Sequence, residues 1–441
     1  MTLFLDPRDV PWTVSSEETG ACLVRAMMHY FTFQADALDQ ADAVLAKDPE
    51  CPIAWVLRAY LLLFARKIEL QAEIDLAISK AQALRQSATR HECLHIDAAQ
   101  AWSKSQPLEA QSAWDAILSE IPYDLLALRV QHFNAIFIGQ QSELARHAHR
   151  ALESWSDEVP GAGFAYSTVC MGLEEVNAFR EAEQIGRRAA ELEADDLWAL
   201  HSVAHVFEAE GRLDEGLVWM EQPASLWENR GSMRHHLWWH EALFLYESGA
   251  YERTLAYYDA KLEVTEAFSN LEMSNLASLL YRLEAAGIKC GARWDRLAER
   301  TAPLNISRNL VFKDIHSLIV FALADDGASL AELSGVIDGH AKGNSLEADA
   351  MRDIGVPVAQ AFNARARGDT KAAFETLEAA RPAFARMGGS NAQRDVLDIL
   401  LVDLALEAGE TARAKDAIER YLDVRPHSVP MTERLTALEL M

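Results

Sequence analysis

The chain has 441 residues, half of them hydrophobic, so it is long enough to bury a large core. Its 67 acidic residues outnumber its 41 basic ones, and the resulting net charge of −26 argues against a nucleic-acid-binding protein, which needs cations against phosphates. No apolar run is long enough to cross a bilayer, and no signal peptide opens the chain, so we expect a cytoplasmic protein without a membrane partner. The five scattered cysteines fit reduced thiols.

Apolar residues recur at helical spacing along the whole chain, and no segment shows the alternation of a strand. Short breakers separate the predicted helices, alternating between turns with acid or proline and turns with glycine: Asp48-Pro49, Ile121-Pro122, Gly139, Asp195-Asp196, Gly211, Gly249, Gly287, Gly368 and Gly409. Pro49, Pro122 and Asp195 share one local context and lie 73 residues apart, about twice the ~34-residue tetratricopeptide period. The sequence therefore predicts an all-α array of tetratricopeptide-like helical hairpins, an α-solenoid curved or closed around a concave groove.

The helical pattern is interrupted at residues 301–308 and again at residues 340–345. We therefore predict a soft boundary within one continuous array. N-terminal repeats over residues 1–300 would carry the histidine-rich helices, and C-terminal repeats over residues 301–441 would carry a Gly-Gly-Ser motif.

Histidines are concentrated in one stretch, because five of the fourteen lie within residues 196–241. Two pairs have the spacing of four residues that puts both imidazoles on one face of a helix: His201 with His205, and His236 with His240. Two such helices can offer a metal four ligands, with zinc or iron as the expected ion. The bulk of Trp239, beside the second pair, would keep water away from such a site.

A structural interpretation of the same histidines stays open beside the metal site. Tightly packed helices often bury histidine beside tryptophan with each ring nitrogen hydrogen-bonded, and the His-Glu-x-x-His motif of metalloproteases is absent here. A third pair, His91 and His95, has the same spacing but stands alone. We interpret that pair as part of a half-exposed helix face.

Asp314 and His316 bring a carboxylate and an imidazole close together in the sequence. Side chains two positions apart on a helix point about 200° away from each other, so these two groups cannot share a ligand on a regular helix. Asp314 also suits the first turn of a helix, where a negative charge is favourable.

Residues 388–395 read Gly-Gly-Ser-Asn-Ala-Gln-Arg-Asp. Glycines followed by Ser390 and a helix offer free backbone N–H groups to an anion, and Arg394 adds a cation. The alternative is a glycine helix end followed by a serine N-cap. Capping alone does not explain why Gln393, Arg394 and Asp395 follow at once, so we favour an anion-binding role.

Several motifs together resemble the tetratricopeptide repeat protein 38 family, over residues 30–428. They are Arg90-His-Glu-Cys-Leu-His95, Met171-Gly-Leu-Glu-Glu175, Trp198 to His205 with Gly211-Arg212, His236-Leu-Trp-Trp-His240, Leu279-Leu-Tyr-Arg-Leu283, Asp314-Ile-His316 and residues 388–395. The resemblance implies an all-helical repeat fold and assigns no settled reaction. Its recurring polar residues differ from the small and apolar residues that mark a pure scaffold repeat, and they suggest a site.

Three positions depart from the family pattern. Leu237 stands where the family has Asn, Asn391 stands where it has His, and the usual Asp near Asn275 is missing. If the family pocket holds a metal, these changes imply a different ligand set or activity.

The sequence thus predicts a histidine-rich pocket that binds a small, anionic metabolite, in preference to a peptide, and transforms it by metal-assisted hydrolysis or lysis. Whether the chain is an enzyme or a homo-oligomer is left open. Candidate catalytic residues are His201, His205, His236, His240, His316, Asp314 and Asp395. Candidate substrate-binding residues are Glu174, Glu175, Trp239, Ser390, Gln393 and Arg394. The alternative is a non-catalytic scaffold that binds a peptide or partner protein in its groove.

Overall fold

The computed structural model of the protein describes residues 2–265, 268–305 and 310–440, so residues 306–308 of the predicted interruption lie outside it. The chain divides by its own contacts into two compact units. The first unit comprises residues 1–137, 141–203 and 223–231, and the second comprises residues 138–140, 204–222 and 232–441. The predicted boundary near residue 300 stays a prediction.

The first unit opens with two short strands and continues as a series of helices. The strands are β1 (Thr2–Leu5) and β2 (Pro11–Val14). The helices are α1 (Glu17–Phe31), α2 (Ala37–Lys47), α3 (Pro52–Phe64), α4 (Gln71–Ala83), α5 (Arg90–Ser103), α6 (Pro107–Glu120), α7 (Leu125–Phe137), α8 (Gln141–Ser154), α9 (Ala162–Glu174), α10 (Phe179–Leu192) and the first half of α11 (Leu197–Ala209).

The second unit contains the remaining helices. They are the second half of α11, α12 (Leu213–Trp219), α13 (Gly231–Glu247), α14 (Tyr251–Tyr257), α15 (Asn270–Ala285), α16 (Arg293–Thr301), α17 (Val311–Leu323), α18 (Gly327–His340), α19 (Leu346–Ala350), α20 (Val356–Ala366), α21 (Thr370–Ala380), α22 (Asn391–Arg394), α23 (Val396–Glu407), α24 (Thr411–Val424) and α25 (Val429–Glu439). Short segments of 3-10 or π helix lie at Ile68–Leu70, Ala224–Trp227, Tyr258–Leu262, Ala302–Asn305, Met351–Gly355 and Arg381–Met387.

Consecutive helices pack as hairpins within each unit. Four residues join α9 to α10, and three join α23 to α24, and the members of each pair contact each other. Such short connections force neighbouring helices to run antiparallel. The prediction of an all-α array of tetratricopeptide-like hairpins is confirmed.

The predicted glycine turns end helices in the left-handed conformation. Gly368 follows α20 with φ +78° and Gly409 follows α23 with φ +74°. A residue with a Cβ is strained in this conformation, whereas glycine adopts it freely and lets the chain reverse. Glycine therefore marks these helix ends reliably in the sequence.

The hairpin of β1 and β2 contradicts the prediction that the chain has no strand. The two strands are antiparallel, with Leu3 opposite Thr13. The carboxylate of Asp6 holds the turn, because its Oδ1 accepts hydrogen bonds from the backbone N–H of Arg8 at 2.8 Å and of Val10 at 3.1 Å. Four-residue strands are too short to show a clear period in the sequence.

Three helices form the centre of the second unit. Leu279 on α15, Ile319 on α17 and Leu400 on α23 are fully buried, and α15 contacts both other helices. A helix that is apolar on nearly all sides is stable only when other helices surround it. None of the helices that the structure describes is both long and apolar enough to span a membrane.

Candidate functional site

Three histidines form a cluster inside the second unit. His205 lies on α11, and His236 and His240 lie one turn apart on α13. The ring centre of His240 is 4.5 Å from that of His205 and 4.8 Å from that of His236. Their exposed fractions are 2%, 5% and 0% for His205, His236 and His240 respectively. The i, i+4 spacing therefore does place imidazoles on an inward face, but that face is closed to solvent.

Polar and aromatic side chains contact His236 and His240. The Nδ1–H of His240 donates to Glu208 Oε2 at 3.3 Å, and that of His236 donates to Asn275 Oδ1 at 3.2 Å. The ring of Trp239 stacks on His236 with centres 5.3 Å apart. A neutral amide, that of Asn275, thus binds the His236 imidazole.

A chain of buried ion pairs continues from the histidines. Arg425 Nη1 lies 2.7 Å from Glu208 Oε1 and 3.3 Å from Asp395 Oδ2. Asp395 also binds the Arg282 guanidinium and accepts a hydrogen bond from the Tyr421 hydroxyl at 3.1 Å. Two carboxylates and two guanidiniums thus alternate along the interior. This arrangement lets each buried charge face an opposite one.

Burial sets the protonation states in this region. It holds the pKa of His205 and His236 well below the usual value, and the neighbouring His240 lowers both further. Burial raises the pKa of Glu208, but the hydrogen bond from His240 and the charge of Arg425 outweigh it, so the net shift is downward. The cluster therefore combines two neutral imidazoles with an ionised carboxylate.

Metal ions bind the neutral form of imidazole, and the ligand nitrogens must lie close together to share one ion. Ligand nitrogens of His205 and His240 lie within 4.8 Å of each other. His201 lies one turn before His205 on α11 but belongs to the first unit, where its ring stacks on Trp198 at 4.4 Å. The four-histidine metal site stays a prediction.

The other predicted residues are distributed over both units. Glu174 and Glu175 are buried at the end of α9, in the first unit. Asp314 lies in the first turn of α17, as its helix-start interpretation predicts, and its Oδ1 lies 3.0 Å from Lys313 Nζ. His316 Nδ1–H donates to the Phe312 carbonyl at 2.7 Å, and burial lowers the pKa of His316 to about 4.

The Gly-Gly-Ser motif folds back on itself. Ser390 and Gln393 form a capping box, with the Ser390 backbone N–H donating to Gln393 Oε1 at 3.1 Å. Arg394 donates to the Gly389 carbonyl and to Asn391 Oδ1. Capping, loop closure and the Asp395 ion pairs thus explain why these polar residues follow one another. Their role toward an anion stays a prediction.

The half-exposed interpretation of His91 and His95 is wrong, because both are buried in the first unit. His95 Nε2 lies 3.0 Å from Asp124 Oδ2, and the Tyr60 hydroxyl donates to the His95 carbonyl at 3.1 Å. The Trp12 ring from β2 covers His91 with centres 4.9 Å apart. The hairpin of β1 and β2 covers this pair. Because the sequence did not predict the hairpin, it did not predict that the two histidines are buried.

Two buried residues of the second unit, Glu208 and Arg425, were not predicted from the sequence. Glu208 follows His205 by three residues and therefore lies on the same helix face, so the spacing did contain a signal for it. Arg425 is 217 residues further along the chain, and only the fold brings it to Glu208. Both line the same small recess of the second unit.

No protein-family model matches the chain. Among solved structures it is similar in fold to the APC/C hetero-tetramer Cut9-Hcn1, with TM-score 0.45, 13% identity and coverage of 96% of this chain and 76% of that one. It is also similar to human IFIT1, solved as a dimer with m7Gppp-AAAA, with TM-score 0.42, 13% identity and coverage of 97% and 96%. Naa15/Naa10 bound to HypK-THB has TM-score 0.25, 13% identity and coverage of 96% and 66%.

The predicted preference for a small molecule over a peptide is wrong. The similar structures include Cut9 with Hcn1 and Naa15/Naa10 with HypK-THB, which are assemblies of proteins with proteins. The three histidines of the cluster lie in the interior of the second unit.

Proposed function

We propose that this chain is a non-catalytic helical-repeat scaffold that binds a partner protein through a cationic segment of that partner. The observation that carries the proposal is the closure of the histidine cluster. His205, His236 and His240 are at most 5% exposed, and His236 and His240 hydrogen-bond to the buried Asn275 and Glu208. A catalytic group must come within hydrogen-bond reach of its substrate, and burial of these imidazoles disfavours such a contact.

The charge of the chain indicates the kind of partner. With 67 acidic against 41 basic residues, the field around the molecule attracts cations and repels acidic chains. Such a field raises the rate of association with a basic segment and suppresses binding of like-charged partners. Helical-repeat proteins offer extended surfaces to peptides and helices, which fits this mode of binding.

The proposal includes membership of the tetratricopeptide repeat protein 38 family. The support is the set of sequence motifs, from Arg90-His-Glu-Cys-Leu-His95 to residues 388–395. In the second unit, the motif residues His236, His240 and Asp395 have their side chains in one connected interior network. A stabilising interior network gives a physical reason for polar motifs in a protein that catalyses no reaction.

Selection from a library of random 16-residue peptides displayed on phage tests the scaffold function. The immobilised full-length protein should enrich peptides rich in Lys and Arg that share a common spacing. An unrelated protein with a similar net negative charge, used in parallel, removes sequences that bind by bulk attraction alone. Enrichment of no sequence beyond those on the control protein would contradict the proposal.

A further inference from the structure

The strand β1 has backbone groups that point away from its partner strand. The Thr13 backbone N–H donates to Glu92 Oε1 at 2.9 Å and therefore points away from β1, so Leu3 and Thr13 face each other without mutual hydrogen bonds. Pro11, which has no N–H, lies opposite Leu5 and fits the same register. The backbone N–H and C=O groups of Leu3 and Leu5 thus point outward, and we call these four groups the β1 edge.

The two outer edges of this small sheet differ in how their backbone groups are bonded. Along β2, carboxylates accept hydrogen bonds from the backbone N–H groups of Thr13, at 2.9 Å, and of Ser15, at 2.7 Å. Along β1, no residue in the described part of the chain forms a hydrogen bond with the outward groups of Leu3 or Leu5. A row of unpaired backbone donors and acceptors is a template for a further strand.

The side chains of β1 alternate between two faces of the hairpin. Leu3 and Leu5 are 57% and 54% exposed on one face. Phe4 points to the other face, where its ring lies against the backbone of α1 at Gly20. Glu17 is exposed and lies three residues before Gly20, on the same side of α1. A strand added beside β1 would therefore alternate between the two leucines and the side that carries Glu17.

We propose that the β1 edge binds the cationic segment of the partner protein, which adds to the sheet as a third, antiparallel strand. The inference rests on the proposed scaffold function and gives it a surface and a bound conformation. Main-chain hydrogen bonds to Leu3 and Leu5 hold the segment, and its alternating side chains give selectivity. Apolar residues of the segment cover the two leucines, and the Lys or Arg residues between them are attracted to Glu17.

A second copy of this chain suits the same edge less well. Pairing of β1 with β1 of another copy would use the same backbone groups and cover the same leucines. It would also bring together two molecules that each carry a net charge of −26 and therefore repel each other. A cationic strand forms the same hydrogen bonds and is attracted by that charge.

Fluorescence anisotropy with the full chain and the labelled heptapeptide Lys-Val-Lys-Val-Lys-Val-Lys tests the β1 edge. We expect saturable binding, about tenfold tighter than that of Lys-Lys-Lys-Val-Val-Val-Lys, which has the same charge without the alternation. In an antiparallel pairing, the Val residues opposite Leu3 and Leu5 exchange the hydrogen bonds. N-methylation of the Val residues should therefore abolish binding, and N-methylation of the Lys residues is the matched control that should preserve it.

Variants of the protein test the same contacts from the other side. Leu3→Pro removes an outward N–H and leaves the bonds between β1 and β2 in place, and it should weaken heptapeptide binding about tenfold. Leu3→Val keeps both the N–H and the apolar face, so it is the matched control and should change binding less than about twofold. Glu17→Gln should weaken binding about threefold at low salt, whereas Glu252→Gln, at an exposed position of the second unit, should not.

Equal binding of the heptapeptide and its N-methyl-Val form to the unchanged protein would overturn the proposal. A dimer, detected by light scattering, that becomes a monomer in Leu3→Pro would assign the edge to a second copy and would also overturn it. If peptides from the library bind equally to Leu3→Pro and to the parent protein, the edge proposal fails and the scaffold function stands. If the heptapeptide binds as expected but the library yields no sequence, the edge stands and the scaffold function fails.

Discussion

Single residues in the second unit show how a polar interior is kept stable. Arg425 contacts both Glu208 and Asp395 and is itself buried. A buried ion pair adds little stability compared with an apolar replacement of the whole group, but removal of one member leaves charges without compensation. Loss of the Arg425 guanidinium would therefore remove a counter-ion from two buried carboxylates.

Arg425→Met should reduce the free energy of unfolding by about 3–5 kcal/mol, because Glu208 and Asp395 lose their shared counter-ion. The midpoint of urea denaturation, followed by circular dichroism, measures this loss. Arg253→Met, at an exposed position of α14, removes the same charge from the surface and should change stability by less than about 0.5 kcal/mol. Equal effects of the two variants would contradict the role of Arg425.

Glu247 predicts a pH dependence of stability. Its pKa is about 7 in the folded protein, against an ordinary value of 4.5, so the folded state keeps a proton that the unfolded state has already lost. The contribution of this group is therefore complete below pH 4.5 and is lost as pH rises through 7. Glu247→Gln, which cannot ionise, should become more stable than the parent protein above pH 7, by on the order of 3 kcal/mol at most.

Melting temperatures of the two proteins between pH 5 and pH 8 measure this difference. The buried histidines and other titrating groups are the same in both, so their contributions cancel in the comparison. Parallel curves over the whole range would show that Glu247 has no raised pKa.

At the scale of elements, the hairpin of β1 and β2 serves as a cover for the first unit. Trp12 on β2 is 1% exposed and packs over His91, while Thr13 donates from its backbone N–H to Glu92 Oε1 at 2.9 Å. Glu92 also closes the capping box of α5 with Thr89. The hairpin and the start of α5 thus share one carboxylate and stabilise each other.

Trp12→Ala should lower the free energy of unfolding by about 3–5 kcal/mol, because a large buried ring is replaced by a cavity above His91. Leu3→Ala, on the neighbouring strand, is the matched control, since Leu3 is 57% exposed and its removal leaves no cavity. Hydrogen exchange of the α5 amides, followed by mass spectrometry, should accelerate only in the tryptophan variant. Unchanged exchange in that variant would mean that the hairpin does not cover α5.

Elements were also the level at which the sequence was most informative. Periodic apolar residues and glycine turns predicted the helical hairpins, because local spacing determines which face of a helix is buried. The spacing of His236 and His240 likewise predicted a shared inward face. The contact of Arg425 with Glu208 could not be predicted from the sequence, because a contact between residues 217 positions apart depends on how the helices pack. The hydrogen bonds within residues 388–395 were not predicted either, because they depend on how the short loop folds back on itself.

At the scale of the whole molecule, charge is the property that most directly selects a partner. A net charge of −26 favours basic segments. Attraction at the exposed surface is screened by salt, so the contribution of charge to binding can be measured by varying the ionic strength.

The central claim is that the chain binds a cationic segment of a partner protein, and titration of a selected peptide tests it most directly. Fluorescence anisotropy of a labelled peptide from the library selection should give saturable binding with one site per chain. The affinity should fall as salt is raised, because the attraction between the acidic surface and the cationic peptide is screened. An affinity that does not change with salt, or that is equal for a peptide with every Lys and Arg replaced by Gln, would contradict the account.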